Sequence, residues 1–219
     1  MPAITTLLSA LPALHTIQIL SCKIAGDFKN AVTYLSLPTV HTLIIPTDAN
    51  ALVRACPNVK HVRCAGGHGS ALVGSLKGSE CETLDGMIDW VKDRKVTERL
   101  VKSVPLLHTL EIRRPVNRGL GILSQNTAPA QWAQVIPSLA GLKQLRVLIL
   151  TFPRRDEVPS DRASIDAARD VLRNSELGGE KKLIIRRIEA PHYENNPPHD
   201  PDKDLDLLLS ESTEIFTSE

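Results

Sequence analysis

The chain has 219 residues with 26 basic and 25 acidic side chains, and it is 42% apolar but only 3% aromatic. That length can bury a substantial core without disulfides or metals, and a core so poor in rings must be built from Leu, Ile, Val and Ala, as thin stacked layers are. The four cysteines form no CxxC pair, no apolar run approaches the roughly 18 residues of a membrane span, and the first residues lack the basic start of a signal peptide. The expectation is a cytoplasmic protein, with the nucleus as the alternative compartment, whose cysteines are buried thiols.

One block recurs along the chain: two adjacent apolar residues, a third followed by Pro, then a spaced apolar trio. The first copy is Leu7, Leu8, Leu11 and Pro12, followed by Leu14, Ile17 and Ile19. The next keeps Leu37, Pro38, Val40, Leu43 and Ile45 but weakens its opening to Thr33 and Tyr34. Leu52, Val53, Cys56 and Pro57 then lead to Val59, Val62 and Cys64, and a fainter copy runs from Cys81 to Met87. Leu100, Val101, Val104 and Pro105 lead to Leu107, Leu110 and Ile112. Trp132, Val135, Ile136 and Leu139 stand at helical spacing before Leu145, Leu148 and Leu150. The last helix is carried by Asp161, Ile165, Ala168, Val171 and Leu172, ahead of a faint strand at Leu183 to Ile185.

Apolar residues at offsets 0, 1 and 4 mark one helix face, Pro ends the helix, and the closing alternation marks a short strand. Thr47 or Asp48, Ser70 and Ser160 are candidate helix N-caps. About seven copies start at intervals of about 19 to 38 residues, near the period of leucine-rich repeats. The predicted fold is α/β: an irregular leucine-rich-repeat solenoid, with short parallel strands on the concave side and helices on the convex side. A doubly wound α/β domain is the alternative, but it needs longer and more apolar central strands. The repeat domain is expected over residues 1–188, followed by an acidic, partly disordered tail over 189–219. That tail carries nine acidic residues against one lysine, a net −8, which leaves +9 on the body.

The string Leu14-His15-Thr16-Ile17-Gln18-Ile19-Leu20-Ser21-Cys22 matches the LxxLxLxxC form, with Cys22 closing the turn. It resembles the repeats of F-box proteins with leucine-rich repeats, and the strings LPTVHTLIIP and ACPNVKHV between Leu37 and Cys64 resemble fungal relatives of that group. Asp48, Gly67, Pro115 and Pro153 stand at the closing position elsewhere, so those turns must be built differently. The resemblance implies a substrate-receptor role in which the repeats hold a protein target. The first block starts within a few residues of Met1, so no F-box is expected in this stretch, and the open first repeat is expected to need a partner or a second copy to cover it.

In LxxLxL strands the residues between the apolar ones point to the face where such proteins bind partners. That register gives Thr16, Thr42, His61, Thr83, Thr109 and Val147 in one row, and Gln18, Ile44, Arg63, Asp85, Glu111 and Ile149 beside it. Arg113, Arg114 and Arg118, with Arg154, Arg155 and Arg162, follow strand ends and are expected to project with Lys181, Lys182, Arg186 and Arg187 as a basic rim. Nucleic acid is a weaker partner for that rim than acidic protein, because aromatic residues for base stacking are missing there. His15, His41 and His108 recur at one register, but Lys60 and Glu82 interrupt it, so a turn position rather than a metal ladder is expected. The Gly66-Gly67-His68-Gly69-Ser70 stretch lacks phosphate-loop spacing and is read as a tight turn. No GxSxG or HExxH pattern is present, and Cys56 and Cys64 fall at core positions, so neither an enzyme nor a cofactor is expected. Pro191 to Asp202 reads as a linker, and the apolar residues from Leu205 to Ile215 as a stripe able to cap the last repeat or lie on the basic rim.

Overall fold

The computed structural model describes residues 6–8, 10–19, 25–66, 69–88, 94–114, 128–153, 159–175, 178–189 and 207–218. Strands alternate with helices in the order β1 (Thr16–Gln18), α1 (Ala25–Val32), β2 (Thr42–Pro46), α2 (Leu52–Ala55), β3 (His61–Gly66), α3 (Ser70–Ser75), β4 (Thr83–Ile88) and α4 (Arg94–Ser103). There follow β5 (Thr109–Arg113), α5 (Ala128–Val135), β6 (Val147–Pro153), α6 (Pro159–Arg173), β7 (Gly179–Glu189) and β8 (Leu207–Ser218). Short 3-10 helices sit at Thr47–Ala49 and Ile136–Gly141.

The fold is α/β, and among the described residues it has one open eight-stranded sheet whose strands stand in sequence order. β1 to β7 are parallel, and β8 pairs antiparallel with β7. β7 and β8 have 11 and 12 residues, longer than the short strands the sequence predicts. Sequential order combined with the right-handed rule for parallel crossovers puts successive helices on one side of the sheet. The described helices accordingly form a continuous series from α1 to α6, in which the 3-10 helix Ile136–Gly141 joins α4 to α5. A single core lies between the two layers, and the apolar trios of the blocks supply it: Leu43, Ile45, Val62, Cys64, Leu110, Ile112, Leu148 and Leu150 are all buried.

The turn into the strands recurs. The amide of the fourth residue donates to the carbonyl of the first in Leu11 to Leu14, Leu37 to Val40, Cys56 to Val59, Val104 to Leu107 and Leu142 to Leu145. Pro occupies the second position in the first four, where its fixed φ suits such a turn. At the start of each strand one carbonyl accepts two amides from the next strand. His15 O takes the His41 and Thr42 amides, His41 O those of Lys60 and His61, Lys60 O those of Glu82 and Thr83. Glu82 O then takes His108 and Thr109, and His108 O takes Arg146 and Val147. This ladder sets the register from β1 to β6 through backbone groups alone, which is why the side chain at that position is free to vary.

Three helix starts differ from expectation. Helix α3 begins at Ser70 itself, with Gly69 at the N-cap in the left-handed region (φ 66°) and no side-chain cap bond. The Ser70 hydroxyl instead accepts from Arg99 on α4. Thr47 caps nothing: its hydroxyl donates to the Gly66 carbonyl and accepts the Gly69 amide, each at 3.0 Å, tying its 3-10 turn to the end of β3. Helix α6 starts at Pro159, so Ser160 lies inside it rather than before it.

Candidate functional site

Because helices cover one side of the sheet, the side chains between the apolar ones form the other face. The first expected row is in register across the strands: Thr16 lies beside Thr42, Thr42 beside His61, His61 beside Thr83, Thr83 beside Thr109 and Thr109 beside Val147. These residues are exposed or half-buried, so the row is a shallow polar strip on the sheet. The second row holds from Gln18 through Ile44 and Arg63 to Asp85. Arg63 is exposed, and His61 Nε2 lies 3.2 Å from Asp85 Oδ2.

The second row then breaks, and the cause is local. The register between β4 and β5 shifts between Leu84 and Met87, so Asp85 and Glu111 are not opposite one another, while Glu111 lies beside Ile149 of β6 as the row predicts. Gly86 sits in this bulge at φ 70°, and a Cβ there would collide with the Cys64 carbonyl. Its amide donates to Glu111 Oε2 at 2.9 Å, and the Thr151 hydroxyl donates to Glu111 Oε1 at 2.7 Å. Arg113 and Arg186 approach the same carboxylate at 3.5 and 3.6 Å. Glu111 is therefore an internal hub, 3% exposed, and not the surface residue the sequence register predicts.

Arg114 corrects the predicted rim in the same way. It is only 6% exposed and ion-pairs with Asp161, which is fully buried in the first turn of α6. Arg187 donates to the other Asp161 oxygen at 2.9 Å and stacks its guanidinium 4.8 Å from the centre of the Phe152 ring, which also packs against the Trp132 ring. Lys181 is also buried, with its ammonium donating to the Ser175 carbonyl. Arg186 pairs with Glu211 of β8, so among the described residues Arg114, Lys181, Arg186 and Arg187 of the expected basic rim are taken up by bonds within the chain. Arg113 is half-buried and Arg162 exposed. Arg118, Arg154 and Arg155, like the closing residues Cys22, Gly67 and Pro115 and the predicted linker Pro191 to Asp202, lie outside the described residues.

The histidine register is a turn position. His15 Nδ1 lies 3.0 Å from the Thr39 carbonyl and His41 Nδ1 3.1 Å from that of Asn58, while the two rings stack at 5.9 Å. Each ring clips its own strand start to the following turn. Among the described residues no group of three or more His, Cys, Asp or Glu side chains is placed to hold a metal ion. Burial pushes the thiols of Cys56 and Cys81 up to about 12 and raises that of Cys64, which disfavours the thiolate at all three. Among the described residues no helix is long and apolar enough to cross a membrane.

The tail residues 207–218 form β8, anchored from the helix layer. Arg169 of α6 grips both Glu214 oxygens at 2.6 and 2.8 Å, and the Arg173 guanidinium sits 5.5 Å from the Phe216 ring centre. The sequence signal for this strand is the period-two series Thr213, Ile215 and Thr217, which the acidic composition of the segment masks.

In comparisons with known proteins, no family model, no curated protein and no solved structure matches this chain.

Proposed function

We propose that the chain is a protein-interaction module, a leucine-rich-repeat solenoid over residues 1–188 that holds a protein partner on the sheet face opposite its helices. The observation that carries this reading is the in-register strip Thr16, Thr42, His61, Thr83 and Thr109 with Gln18, Ile44, Arg63 and Asp85 beside it. Rigid strands hold these side chains at fixed spacing, which is what a binding surface needs to select one partner without paying to order itself. The recurring turn and the shared carbonyl at each strand start support the repeat reading, because each unit meets its neighbours through the same bonds. The more specific form is a substrate adaptor of the F-box type, for which the segment resemblance at Leu14 to Cys22 and Leu37 to Cys64 is the support.

The alternative, a regulatory module that binds nucleic acid or acidic partners through a basic rim, has less support, since Arg114, Lys181, Arg186 and Arg187 are engaged within the chain. Affinity capture with the full chain separates the two. Proteins held by the unaltered chain should be released by Arg63→Glu combined with Thr83→Arg and retained by Lys102→Glu on the helix side. Retention of the same proteins by the face variant would refute the reading, and an F-box encoded upstream of Met1 would favour its adaptor form.

A further inference from the structure

We infer that β8 is a self-association edge, through which two copies of the chain pair strand to strand, antiparallel, about a two-fold axis at Thr213. Among the described residues β8 is the last strand of the sheet, so one side of a 12-residue strand carries unpaired backbone donors and acceptors. Proteins ordinarily blunt such an edge with Lys, with Pro or with short strands. From Leu207 to Ser218 there is no Lys, Arg or Pro. Its two acids, Glu211 and Glu214, are neutralised within the chain by Arg186 at 2.7 Å and Arg169 at 2.6 Å. Away from a register that sets two carboxylates face to face, the edge therefore carries little net charge to repel another strand, and Ile215 stands 59% exposed on it.

The same residues choose the occupant and the register. The pairing with β7 runs from Ser218 to Ser210 without interruption and then skips Leu209, so the bulge there ends the regular stretch. A symmetric antiparallel pair must place one residue opposite itself. An axis at Glu211 or Glu214 opposes two carboxylates, which is destabilising, and an axis at Ser212 runs into the bulge after two residues on either side. An axis at Ile215 pairs Ser212 through Ser218 but sets each Glu214 carboxylate opposite a Phe216 ring, which offers it no donor, whereas an axis at Thr213 pairs Ser210 through Phe216 completely. It sets Ser212 opposite Glu214, where a hydroxyl can donate to a carboxylate, and Glu211 opposite Ile215, with no like charges facing. It also keeps the uncovered face of the sheet continuous across both copies.

Sedimentation velocity of the full chain between about 1 and 100 μM, a range that spans ordinary weak dimers, tests this with three variants. The unaltered chain should dimerise. Ile215→Glu, which faces Glu211 of the second copy, and Thr213→Lys, which faces itself, should each weaken the dimer by at least about tenfold, because facing like charges costs more than a kcal/mol. Ile215→Lys should hold or tighten it by facing Glu211. Circular dichroism melts check that each variant keeps its fold, and loss of folding in one leaves the other two to decide. A monomer over the whole range, a dimer indifferent to Thr213→Lys, or equal effects of the Glu and Lys changes at position 215 would overturn the inference; the monomer would leave the edge to an extended segment of another protein.

Discussion

Asp161 shows how the chain treats charge in its interior. The carboxylate is fully buried between Arg114 and Arg187, and two cations around one anion leave no slack if the anion goes. Asp161→Ala removes the buried anion that Arg114 and Arg187 share, so it should destabilise the fold by about 3–5 kcal/mol, read as a lowered urea midpoint with an unchanged slope. A loss below about 1 kcal/mol would mean that the pair behaves as an exposed one. This cluster was illegible in the sequence for a plain reason. Arg114 and Asp161 are 47 residues apart, and a double arginine after a strand reads as surface charge until the helix that packs over it is known. Asp161 was placed on the last helix correctly, but helical spacing cannot say that a residue at its start points inward at two arginines.

Among the elements, the strand starts were the most legible, because the Pro turn and the alternating trio are local signals. The turns at Leu37 to Val40, Cys56 to Val59 and Val104 to Leu107 stand where Pro38, Pro57 and Pro105 predict them. The bulge in β4 was not legible, since Gly86 within Leu84 to Met87 looks like an ordinary weak strand residue. With φ 70° and the Cys64 carbonyl against it, Gly86→Ala should cost about 1–3 kcal/mol and free the Glu111 carboxylate from its amide donor. Urea unfolding checks the cost, and an Ala variant as stable as the parent would contradict the bulge.

β8 carries a pH prediction. The Arg169 guanidinium holds the Glu214 carboxyl below the usual carboxylate range. A depressed folded value means that the contribution is complete above the ordinary glutamate titration, about pH 4 to 5, and is lost as the pH falls through the lower folded value. The protection of the amides over residues 210–217, taken relative to their intrinsic exchange at each pH, should fall on acidification in the parent. In Glu214→Gln the protection should already be lower at neutral pH and change less with acid.

At the scale of the whole molecule, the order of strands follows from the spacing of blocks too short to cross over one another, so the sheet topology was largely readable. The extent of the sheet was not. The tail composition of nine acids to one lysine points to solvated chain, yet Glu211 and Glu214 become tolerable in a strand because Arg186 and Arg169 meet them from β7 and α6. The surface was readable only where neighbouring strands stay in register, from Thr16 to Thr109, and failed at Glu111 and Arg114, where the bulge and α6 turn charge inward.

The claim at the centre of this account is that the strip opposite the helices is the surface a partner touches. A photo-crosslinking amino acid placed at Arg63 on that strip, and separately at Lys102 on α4, reads this directly in cells. The account predicts a covalent adduct to a discrete protein from position 63 and none from position 102; adducts from position 102 alone would contradict it.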